Sequence, residues 1–231
     1  MNAFVISGFI NGVSAVVLGL IVYLKSPKKV ENQAFGLMTF ALAIWSLGYS
    51  FWQMTTDQQM ALFWVRVLSI GSTFIPITFL YWIFSLFNLR EEKKKILTAG
   101  YFITLFFISF IFSDLFIKGV APQLSFPWWP QAGIIYTLYV VIGYLGIIGY
   151  GCYSLIKIYP ERDPVTQVKI KYVLLAVMVG FGGGATNFPL WYGLKIPPYG
   201  NFLVFVYPFI LAYIMLRYKL MDVKIILTQF L

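Results

Sequence analysis

What most constrains this chain is its division into apolar runs of about twenty residues, joined by short links that carry nearly all the charge. A helix needs about 20 apolar residues to cross the roughly 30 Å hydrocarbon layer of a bilayer. Runs of that kind fall at about 3–24, 34–53, 61–88, 96–113, 134–158, 172–191 and 201–216. Their length and continuity exclude barrel strands, which alternate over about ten residues. Charged residues make up only 11% of the chain, against about 25% in soluble proteins. The sequence predicts an all-α integral membrane protein, a seven-transmembrane helix bundle. No basic residue precedes the first run, so it reads as a retained span rather than a cleaved signal.

The links test that count. Those after runs one, three, five and seven hold 14 of the 17 basic residues: Lys25, Lys28 and Lys29; Arg90 and Lys93 to Lys95; Lys157, Arg162, Lys169 and Lys171; Arg217, Lys219 and Lys224. Only Arg66, Lys118 and Lys195 fall on the other side. Short links rich in Lys and Arg stay in the cytoplasm. The alternation therefore predicts the N-terminus out and the C-terminus in, in the cell membrane. The net charge of +9 then meets anionic lipid, not nucleic acid. The longest link, about 114–133, contains Phe126-Pro127-Trp128-Trp129-Pro130 and reads as a loop lying on the outer interface.

Composition also limits the chemistry. The chain has no histidine and one cysteine, Cys152, within an apolar run. All eight acidic residues lie in links, at span ends or in the tail. Catalytic residues, a metal site and a cofactor are not expected. Span seven has no lysine for a retinal Schiff base.

Some residues within or near the spans stand out. Arg66 lies about one turn into span three, where a guanidinium either anchors an anionic ligand, snorkels to the interface or pairs with Asp114. Asn11, Gln53, Asn88 and Asn187 suit interhelical hydrogen bonds. Gln53 and Asn187 also lie toward the outer half, as does Trp191. Arg66, Gln53, Asn187 and Trp191 are thus the candidate ligand-binding residues. Trp52, Trp128, Trp129, Trp191 and Tyr192 form an interfacial belt or roof a cavity. Gly180 and Gly182 to Gly184 in span six permit close packing or a hinge, and Pro76 and Pro208 suggest kinks.

Span seven runs on without a breaker: Ala212-Tyr213-Ile214-Met215-Leu216-Arg217-Tyr218-Lys219-Leu220-Met221-Asp222-Val223. Leu216, Leu220, Val223 and Leu227 make a short a/d seam able to pair with a second copy. This stretch resembles the exit segment of the N-terminal seven-transmembrane sensor region of bacterial histidine kinases. In that family an alanine-tyrosine pair and an arginine-tyrosine-basic-leucine-apolar-aspartate run lead into a signalling helix. The glycine-rich sixth span and the Pro197-Pro198-Tyr199-Gly200 turn are similar as well.

The resemblance implies a sensor domain at 1–216 and the start of a signalling helix at 217–231, with Arg217, Leu220, Asp222 and Val223 as relay residues. The expected partners are the lipid bilayer, a second copy through the C-terminal helix, a small-molecule or lipid ligand, and a cytoplasmic output domain in cis or a partner in trans. The chain is then a sensor half of a longer protein or a short relative. The alternative function is a small transporter or carrier, favoured by the helix breakers and opposed by the lack of core carboxylates and of an internal repeat.

Overall fold

The computed structural model describes residues 3–229, with side chains through residue 217. Four helices come first: α1 (Ala3–Lys25), α2 (Val30–Met54), α3 (Gln58–Leu86) and α4 (Lys94–Ile108). A hairpin follows, β1 (Ile117–Gln123) paired antiparallel with β2 (Phe126–Ala132). Then come α5 (Ile134–Glu161), α6 (Pro164–Ala185) with a short turn at Phe188–Trp191, and α7 (Val206–Gln229), entered through a 3₁₀ turn at Tyr199–Leu203.

Six of the seven helical spans are long and apolar enough to cross a membrane. The fourth is the exception: its 15 residues give about 22 Å, and tight turns carry the chain on to Ser113. The lipid-facing surface is read directly from exposure. On α1, Ile6, Ile10, Val13, Val17, Leu20 and Leu24 are all exposed, at alternating steps of four and three. That is one helical stripe of bare hydrocarbon, which water does not tolerate over such a length. The chain is a multi-pass membrane protein.

The expected outer loop is a correction. It is a β-hairpin, so the fold is mostly helical rather than all-α. In a two-stranded ribbon both strands are edges, so Pro122, Pro127 and Pro130 are tolerated. Nor does the hairpin lie loose on the surface. Trp129 is fully buried and packs edge-on against Trp52 of α2, with ring centroids 4.8 Å apart. Trp52 donates its indole N–H to the Trp128 carbonyl at 2.9 Å, and Trp128 donates its own to Thr56 O at 2.7 Å. Gln58 reaches Val120 O. The hairpin is strapped to the α2–α3 corner.

Because the spans alternate in direction, the basic links gather at the opposite end. There Lys25 donates to Leu216 O, and Arg162 to Phe87 O, each at 3.5 Å. Lys93 pairs with Glu92 and holds its carboxyl below the usual range. Asp163 caps α6, accepting from the Val165 and Thr166 amides at 3.0 Å, and the Thr166 hydroxyl together with these amides lowers its pKa. Asn88 is not an interhelical amide. It is exposed, adopts φ 57° just past α3, and lets Leu89 N–H close back on Phe84 O at 2.8 Å.

Close backbone contact sets the inner geometry. A methyl group on Gly71 of α3 would come within 2.5 Å of Trp45 N and 2.7 Å of Ala41 O on α2. The two backbones can meet only because that side chain is missing.

Candidate functional site

Where spans α2, α3, α5, α6 and the entry to α7 meet, in the half of the bundle nearer the hairpin, they leave a cavity of about 70 Å³. Its walls are mostly aromatic. Trp45, Tyr49 and Trp52 come from α2, while Tyr136, Tyr139 and Tyr144 come from α5. Phe181, Asn187, Phe188 and Trp191 come from α6 and its turn, and Tyr207 from α7. Among the described residues, those lining the cavity include no lysine, arginine or carboxylate.

Three local irregularities build it. First, Pro76 in α3 has no N–H, which frees the Ser72 carbonyl one turn back. Tyr139 fills that gap, donating its hydroxyl to Ser72 O at 2.7 Å. Second, residues Tyr139–Gly146 form a π-helix. Its i→i+5 bonding stacks residues five apart, so Tyr139 and Tyr144 both line the cavity instead of diverging as they would on an α-helix. Tyr144 then donates to Phe181 O on α6 at 2.8 Å. Third, the glycines of α6 pack closely: a methyl on Gly180 would strike the Tyr207 ring at 2.5 Å, and one on Gly183 would strike Gly200 O at 2.5 Å. Gly182 has open space, and at Gly184 the nearest atom is Tyr144 Oη at 3.7 Å. Close packing therefore accounts for two of the four.

Two residues that line the cavity carry a buried polar atom with no partner within the protein. The Tyr49 hydroxyl belongs to a residue 2% exposed, and Asn187 Oδ1 to one 6% exposed. The rest of Asn187 is engaged, since its amide N–H groups reach Gly184 O at 2.9 Å and Asn201 Oδ1 at 3.2 Å. Asn201 donates on to Ser7 of α1, and Asn11 donates to Asn201 O. This chain of amides ties α1, α6 and the α7 entry together. Tyr136 and Trp191 stack face to face at 4.0 Å, with an interplanar angle of 4°, and form one flat wall.

The structure divides the ligand candidates named from sequence. Asn187 and Trp191 line the cavity, with Trp52 beside them. Arg66 does not: its guanidinium lies 3.7 Å from Asp114, which is 86% exposed. Gln53 stands one residue past Trp52 outside the cavity, with its Nε2 buried and unpartnered. Sequence reading passed over Tyr49, Tyr139, Tyr144 and Tyr207. The available signal was Pro76, which predicts a free carbonyl and so a donor opposite it. Of the relay residues, Arg217 lies over the Tyr213 ring one turn earlier and donates to its hydroxyl. The side chains of Leu220, Asp222 and Val223 lie outside the described residues. Among the described residues no group of three His, Cys, Asp or Glu could hold a metal ion.

No curated protein and no solved structure matches the chain significantly. The family profile described as the N-terminal 7TM region of histidine kinase matches residues 8–224, from the second turn of α1 far into α7. With nearly the whole bundle inside that match, the chain belongs to the family of N-terminal seven-transmembrane regions of histidine kinases.

Proposed function

We propose that this chain is the non-catalytic sensor module of a two-component system. Its hairpin end faces outward and its basic end faces the cytoplasm of the cell membrane. The observation that carries the reading is the course of α7. Tyr207, in its first turn, walls the cavity, and the same helix runs unbroken to Gln229. A change in cavity packing therefore acts on one end of a continuous rod whose other end meets the output domain. The bias of basic residues to one end supports the orientation, and the seam at Leu216, Leu220, Val223 and Leu227 supports a dimer through the tail.

The test joins a histidine-kinase core after Leu231 and reads autophosphorylation in membranes. One alanine inserted between Leu216 and Arg217 turns the downstream helix by about 100° and should change basal output, while a four-residue insertion restores the phase and most of the output. Output indifferent to both insertions refutes relay through α7. Cysteines placed at Leu220 or Val223 should crosslink between copies, and reporters at the two termini should report opposite compartments.

A further inference from the structure

We propose that the aromatic cavity binds a small, uncharged, compact apolar molecule bearing one group that both accepts and donates a hydrogen bond, such as a hydroxyl. This deepens the sensor reading by naming the chemistry of its stimulus, and for its output arm it rests on that reading.

Among the described residues the lining offers no ionised side chain. An ion entering this depth of the bundle would lose its hydration with no counter-charge to replace it, at a cost that excludes it. Arg66, the one basic side chain of α3, faces Asp114 instead. Buried polar groups without partners are rare and call for an explanation, and here two belong to residues lining one cavity. Tyr49 has a hydroxyl hydrogen to give, and Asn187 Oδ1 has lone pairs to receive. A ligand hydroxyl has the chemistry to satisfy either, accepting from Tyr49 or donating to Asn187. The rest of the lining is aromatic, with the Tyr136–Trp191 stack as a flat surface for an apolar body. Size closes the definition. About 70 Å³ exceeds the roughly 10–15 Å³ one water requires and falls short of the roughly 150 Å³ of an engineered void that takes benzene. That is under half the space that takes benzene, so a single ring with one substituent is the upper bound, and it enters only as the walls move outward.

The test uses the full chain in lipid nanodiscs and three probes: phenol, toluene and benzoate. Trp45, Trp52 and Trp191 line the cavity, so binding is read from tryptophan emission. Phenol should bind saturably and more tightly than toluene, and benzoate should not bind. Tyr49→Phe should weaken phenol roughly fivefold, the worth of one net hydrogen bond, and leave toluene within about twofold. Gly184→Val, which grows into the cavity where only Tyr144 Oη stands near, should abolish both. Benzoate binding as tightly as phenol overturns the proposal. So does an unchanged phenol-to-toluene ratio in Tyr49→Phe, or full phenol binding in Gly184→Val. The kinase-core chimera separates the two readings. Phenol that binds without altering output refutes relay and leaves the site standing. An insertion-sensitive chimera whose cavity binds none of the probes refutes the site and leaves relay standing.

Discussion

Two tyrosines on the same cavity should respond in opposite directions to the same deletion of one oxygen. The Tyr139 hydroxyl satisfies Ser72 O, a carbonyl that Pro76 leaves without its helical donor. Tyr139→Phe leaves that carbonyl without its donor inside the bundle. An unsatisfied buried group costs about 1–3 kcal/mol, and hydrogen bonds between membrane helices average about 0.6 with a maximum near 1.7. A loss of about 1–2 kcal/mol is expected. The Tyr49 hydroxyl, by contrast, has no partner, while its ring is held by Trp52 at 5.2 Å and Trp45 at 5.9 Å. Tyr49→Phe keeps those ring contacts and discards a group buried at a penalty, so stability should rise by about 1 kcal/mol.

The assay is reversible unfolding of the reconstituted chain in mixed micelles, read by circular dichroism. A third variant closes the argument. Pro76→Ala returns an amide N–H to Ser72 O, so Tyr139→Phe should cost about half as much in that background. Both tyrosine variants shifting stability in the same direction would refute the reasoning. Additivity of Tyr139→Phe with Pro76→Ala would refute the part that assigns the vacant acceptor to the proline.

Other parts of the bundle make further demands. Gly71→Val forces a branched side chain against the Trp45 and Ala41 backbone and should cost about 3 kcal/mol or more, measured in the same unfolding assay. Asp163→Ala removes the α6 cap and should cost about 1 kcal/mol. Because its carboxyl pKa is lowered on folding, the Asp163 contribution is full above its unfolded value near 3.9 and fades as pH falls through the lower folded value; an acid titration of wild type against Asp163→Asn checks this. Arg66→Gln should change stability by less than about 1 kcal/mol, since Asp114 stands in solvent, and the difference should shrink as salt is raised.

How far the sequence was legible depends on which physical signal each element uses. The helices rest on long apolar runs, and all seven were visible in them. Their ends were less so: the sixth was read from residue 172 but begins at Pro164, although Asp163-Pro164 is a cap followed by a first-turn proline and could have fixed the start. The hairpin was hidden because its two-residue turn is Leu124-Ser125, with Leu124 at φ 51°, and lacks the Asn-Gly or Asp-Gly signature such turns prefer. Its prolines argue against a strand in every context except an edge. The π-helix leaves no mark in Tyr139–Gly146, because its cause is tertiary: Tyr139 and Tyr144 reach carbonyls on two other helices. The cavity was half visible. Asn187 and Trp191 were singled out for their place in span six, whereas the tyrosines were lost among many aromatics whose exposed members face lipid.

The distribution of unmet hydrogen bonds shows where this fold accepts cost. Of the eight buried side-chain atoms without a partner among the described residues, only Trp82 Nε1 lies toward the basic end. The other seven, including Tyr49 Oη, Ser46 Oγ, Gln53 Nε2 and Asn187 Oδ1, crowd the hairpin half. Folding alone would select against such a cluster, because each unpaired group weakens the native state and a methyl or phenyl group would serve packing better. Sites that must bind keep such groups, since their partners arrive with the ligand. The same half holds the π-helix and the close-packed glycines of α6, and it is where α7 begins. Each half has an apolar core: Phe35, Phe84 and Leu155 are fully buried in the basic half, and Phe116, Ile117 and Trp129 under the hairpin. That division suits the sensor reading proposed above: polar groups without partners stand where α7 begins, and the basic half, where nearly every such group is met, keeps the helices in register.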